Sequence, residues 1–209
     1  MKAPAVLYIA FVVFMISLFY LATRVEFTYE DTHSSLNDEN LETDLHLSNA
    51  QHFVKESANE RGLYHVEEAI ASLRNLENDI DMESGQNVES AIAKLEEFEE
   101  QLKANEVSPE KMSEVFASTL RILSLSELRI SERYAESDQF GYAVVALKYA
   151  RLHLKNALEY ENLSDKKFDL HVYYELDSLI NAPEASPIEV SMKIDHMIEE
   201  LNSQVATVH

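Results

Sequence analysis

Apolar positions along the chain change character twice. From Ala3 to Thr23 there are 21 residues without a charged side chain, APAVLYIAFVVFMISLFYLAT. A helix of that length spans about 30 Å, the thickness of a bilayer's hydrocarbon core. Pro4 falls in the first turn, where a helix tolerates it. Tyr8 and Tyr20 sit toward the two ends, where amphipathic rings favour the interface. A secretory leader would carry a shorter apolar run, and Tyr20, at the −3 position of Tyr20-Leu21-Ala22, spoils an A-x-A-like cleavage site. The expectation is an uncleaved single-pass anchor over residues 1–23.

Residues 24–47 then lose any apolar period. Between Glu26 and Asp44 stand seven acids and no Lys or Arg. This stretch reads as a solvated, self-repelling spacer.

From residue 48 onward apolar residues recur at threes, fours and sevens, the signature of helix faces. Leu63, Val66, Ile70 and Leu73 make one series, and Val88, Ile92, Leu95, Phe98 and Leu102 a second. Met112, Phe116, Leu120 and Leu123 make a third, and Val144, Leu147, Leu154 and Leu158 a fourth. Val172, Leu176 and Leu179, then Ile194, Met197, Ile198 and Leu201, complete the pattern. The helices are expected at 48–60, 62–80, 87–104, 109–136, 138–161, 165–181 and 187–206. Ser108-Pro109-Glu110 is an N-cap followed by an N1 proline and an acid. Ser186-Pro187-Ile188-Glu189 is a capping box, and Ser164 caps the helix before it. The fold class is therefore all-α: a transmembrane helix, then about seven helices over residues 48–209. Those helices form either an antiparallel bundle or a short repeat array.

One pattern recurs: Ala69-Ile70-x-x-Leu73-x-x-Leu76, Ala91-Ile92-x-x-Leu95-x-x-Phe98 and Ala143-Val144-x-x-Leu147-x-x-Ala150. Around the third copy, residues 124–157 resemble one tetratricopeptide (TPR) unit, a pair of antiparallel helices. Ile130, Ser131 and Tyr134 stand at that family's first-helix positions, and Ala143, Leu147 and Ala150 at its second-helix positions. Glu127 replaces a large apolar residue there, and Lys155 replaces the closing proline. The resemblance implies a helical scaffold that binds protein.

Charge and composition narrow the function. With 17 basic and 38 acidic residues the net charge is −21, which repels a phosphate backbone and speaks against nucleic acid. The chain has no cysteine and three glycines. That removes thiolate chemistry and leaves little for phosphate-cradling loops. No GxSxG, HExxH or phosphate-loop motif is present. The expectation is no enzyme, no cofactor and no metal site. Among the eight histidines, His171/Glu175 and His196/Glu200 are i, i+4 pairs that share a helix face.

Charge inverts locally at residues 148–167, with five bases against three acids. Lys148, Arg151 and Lys155 form one helical stripe, Arg129 and Arg133 an i, i+4 pair, and Tyr142 and Tyr149 share a side. Those seven are the candidate partner-binding residues. The bulk of the chain is expected outside the cytoplasm, a periplasmic domain on a bacterial inner membrane being the first choice. The reading is a non-enzymatic, membrane-tethered adaptor for a partner protein, its oligomeric state open. The alternative is an extracytoplasmic sensor or a bundle binding a small ligand or metal.

Overall fold

The computed structural model describes residues 34–77, 80–160, 167–181 and 187–207. The chain divides into two units, Met1–Glu39 and Asn40–His209. The described residues form helices and no strands: α1 (Ser34–Lys55), α2 (Asn59–Glu77), α3 (Met82–Lys103), α4 (Pro109–Glu136), α5 (Phe140–Tyr160), α6 (Lys167–Ile180) and α7 (Pro187–Thr207). No helix among them is long and apolar enough to cross a membrane. The apolar run Ala3–Thr23 and the caps Ser164 and Ser186 lie outside the described residues.

The acidic stretch expected as a solvated spacer is helical from Ser34, and Thr43, Asp44 and Leu47 are buried. Its stripe escapes a hydrophobicity pattern because two of the inward positions are polar. Thr43 Oγ1 donates to Ser72 Oγ of α2 at 2.9 Å, so burial leaves that hydroxyl paired.

α4 is the axis of the body. It packs most extensively on α5, and also on α3 and α7. From Val115 to Arg129 every residue except Arg121 is buried. A helix covered on all sides must pair its own polar groups. Thr119 and Ser126 donate to the carbonyls of Val115 and Ile122, four residues back, at 2.9 and 3.0 Å. Ser124 and Ser131 donate to the carbonyls of Ala150 and Ala143 in α5, each at 2.9 Å. A side chain can reach a neighbouring helix's backbone only where two helices lie close, which small residues on both permit. The later serine faces the earlier alanine, so α4 and α5 run antiparallel. Phe98, Phe116 and Tyr160 stack edge to face at 5.3 and 5.6 Å, joining α3, α4 and α5.

Helix ends follow identifiable chemistry. Ser108 Oγ accepts from Lys111 N at 3.1 Å, as its sequence predicts. α3 starts at Met82 because Asp81 caps it, accepting from the backbones of Glu83 and Ser84 at 3.1 and 2.9 Å. Ser57, Asn105 and Asp138 have φ of 59°, 56° and 59°, and follow the last turns of α1, α3 and α4. In each case the next residue's N–H reaches back to a carbonyl of the last turn: Ala58 to Phe53, Glu106 to Gln101 and Gln139 to Tyr134. These are Schellman closures made without glycine.

Candidate functional site

The basic residues singled out by sequence divide into two groups. Arg129 is buried and pairs with Glu83, with Asp81 at 3.7 Å and with Asn202 of α7 at 3.4 Å. It ties α4 to the start of α3 and to α7. Arg133, half exposed, stands 4.0 Å from Asp81. Burial alone would raise the Asp81 carboxyl. The two hydrogen bonds of Ser84, with Arg129 and Arg133 behind them, hold it below its ordinary range. Arg151 pairs with Asp177 of α6. These arginines hold acidic neighbours in place. Lys148 and Lys155 are exposed and make no ion pair among the described residues. Tyr142 stands against Tyr134 with ring centroids 5.3 Å apart, and Tyr149 is half-buried.

A buried polar cluster joins α1, α4 and α5. His153 is fully buried, and its Nδ1 lies 2.7 Å from Asp44 Oδ1. Asn156 donates to the other oxygen of Asp44 at 2.5 Å. Burial disfavours the imidazolium, but the Asp44 carboxylate, its hydrogen bond and the charge of Glu127 outweigh burial and raise the His153 pKa. His153 Nε2 has no hydrogen-bond partner among the described residues. Tyr160 is pushed up by burial and by the charge of Asp44 and Glu159, against the pull of a hydrogen bond with Ser48. Sequence periodicity could not find this cluster, because Asp44 and His153 are 109 positions apart.

α6 and α7 bring together the two i, i+4 pairs noted in the sequence. His171 Nδ1 lies 3.3 Å from Glu200 Oε2. His196 Nδ1 lies 3.7 Å from Glu175 Oε2. Along α6, His171 Nε2 is 3.9 Å from Glu175 Oε1. One residue number rises as its partner's falls, the register of antiparallel helices. Two His–Glu rungs are stacked one turn apart. Donor atoms of His171, Glu175 and Glu200 all lie within 4.8 Å of one another. Two clefts of about 450 and 270 Å³ share Glu175 and Lys193 in their lining, the first also lined by Ile188, Met192 and His196, the second by His171, Tyr174 and Ser178.

Compared with known proteins, the chain matches no protein-family model, no curated protein and no solved structure.

Proposed function

We propose that the protein is a non-enzymatic helical adaptor, tethered by its apolar N-terminal segment on the extracytoplasmic side of a membrane, that docks an acidic segment of a partner protein along α5. The observation that carries this reading is the pair of exposed lysines, Lys148 and Lys155, in a chain of net charge −21. They are two helical turns apart, about 10 Å along one face. Val144, one turn before Lys148, is a large apolar residue on the same side and is exposed. Cations on an acidic body serve selection by charge complementarity. The resemblance of residues 124–157 to a TPR unit supports a scaffold role. Tethering raises effective concentration, so a modest interface suffices.

The test is in-cell crosslinking with a photoreactive residue at Val144, Lys148 or Lys155. A discrete protein adduct at Lys148 that K155E abolishes is the expected result. Absence of adducts at all three positions, or an adduct indifferent to K155E, removes the reading.

A further inference from the structure

We infer that His171, Glu175 and Glu200 form a binding site for one first-row divalent cation of the zinc class, clipping α6 to α7. The inference does not rest on the docking reading. Its basis is convergence of donor atoms from two helices. His171, Glu175 and Glu200 each offer one donor atom, and these three atoms lie within 4.8 Å of one another. One imidazole nitrogen of His171 would hold the ion and the other would stay free for solvent or a carboxylate. Tetrahedral zinc with bonds of about 2.0–2.1 Å separates its donors by about 3.4 Å. An inward movement of roughly one ångström by the exposed His171 and the two half-buried glutamates would bring three donors to that spacing, leaving the fourth position to solvent.

Donor chemistry sets the metal class. A single imidazole with two carboxylates suits zinc and its first-row neighbours. Calcium and magnesium prefer an all-oxygen shell. Two carboxylates balance the cation's charge, and the acidic chain concentrates dications around itself. The cation that faces both clefts, Lys193, is engaged by Glu189 at 3.1 Å. His196 stands 3.7 Å from Glu175 Oε2, beside the trio and on the same surface.

The clip would join helices with different main supports. α6 packs chiefly on α5, and α7 chiefly on α4. A metal bridging them would strengthen the slight direct contact between α6 and α7. The same positions explain why sequence alone understates the site: each helix carries only an ordinary His–Glu pair. The site exists through the register between them.

The experiment uses the tag-free full chain in detergent, stripped with chelator and titrated calorimetrically with ZnCl₂. Co²⁺ serves as the spectroscopic probe. Expected are one equivalent bound at micromolar or tighter Kd, a rise in Tm with Zn²⁺, and a visible Co²⁺ band. H171A and E200Q should each weaken binding at least ten-fold, and the double variant should lose the Co²⁺ band. Both residues are accessible to solvent, so circular dichroism should show the fold retained. Binding that saturates only at millimolar zinc overturns the inference. So does undiminished binding by the H171A/E200Q double variant, which would place the ion on other carboxylates.

Discussion

Asp44 of α1 and His153 of α5 meet at 2.7 Å inside the helical body, where His153 has no exposure at all. Their contact fastens the first described helix to the centre. Removing one partner of a buried pair leaves the other dry and uncompensated, at a cost of about 3 kcal/mol. D44A should lower unfolding free energy by about that amount in urea denaturation of the full chain. The pair also carries a pH signature. The folded His153 pKa lies above its ordinary 6.5, so its contribution is complete below that pH and fades as pH rises through the folded value. In H153Q this loss on going alkaline should disappear, which thermal melts across pH 5.5–8.5 would read.

Glu132 of α4 is hydrogen-bonded to Asp195 of α7. The hydrogen bond between them, then burial, then the charges of Asp195 and Glu136, push the Glu132 carboxyl up to about 7, with Arg129 opposing. From pH 4.5 to 7 the folded chain keeps a proton that the unfolded chain has released, so stability falls as pH rises through that window. Glu132 is half-buried and solvent screens it, so the effect should be about 1 kcal/mol. E132Q should match the wild type at pH 5 and exceed its stability by about 1 kcal/mol at pH 8. No difference at pH 8 would show that the two carboxyls do not interact.

Two helical glycines should answer oppositely to alanine. At Gly62 of α2 an added Cβ meets Val54 Cγ2 of α1 at 2.7 Å. The close approach requires glycine there, and G62A should destabilise despite alanine's better helix propensity. At Gly85 of α3 nothing lies within 4 Å, so G85A should gain roughly 0.5–1 kcal/mol. Paired urea curves would decide both.

The left-handed residues that close α1, α3 and α4 make a graded series. Asn105 and Asp138 are residue types that tolerate positive φ, whereas Ser57 is not. S57G should therefore stabilise by up to about 1 kcal/mol, and N105G and D138G by less. An equal gain at all three sites would contradict the strain argument.

Helix positions were largely legible wherever the inward face is apolar. The span expected at 109–136 matches Pro109–Glu136, because Ser108 and Pro109 announce its start and Asp138 follows its end. α3 begins earlier than its apolar series because Gly85 and Ser84 give no hydrophobic signal, while the Asp81 cap does the work. The first part of α1, before the helix expected from 48, was hidden for a similar reason: Thr43 and Asp44 face inward through hydrogen bonds. Side-chain roles were less legible. The spacing of Lys148, Arg151 and Lys155 marks a stripe, yet cannot tell that Arg151 is engaged by Asp177. The two His–Glu pairs were visible singly, and only the fold sets them face to face.

The serine–carbonyl contacts between α4 and α5 bear on alignment as well as packing. Ser124 and Ser131 are seven residues apart, and so are the alanines that receive them. If one helix slid past the other by a single turn, both hydroxyls would leave their acceptors at once, and each stranded buried group costs about 1–3 kcal/mol. A purely greasy seam would accept that slip with little complaint. This hairpin proofreads its own frame, and the price of misreading is charged twice.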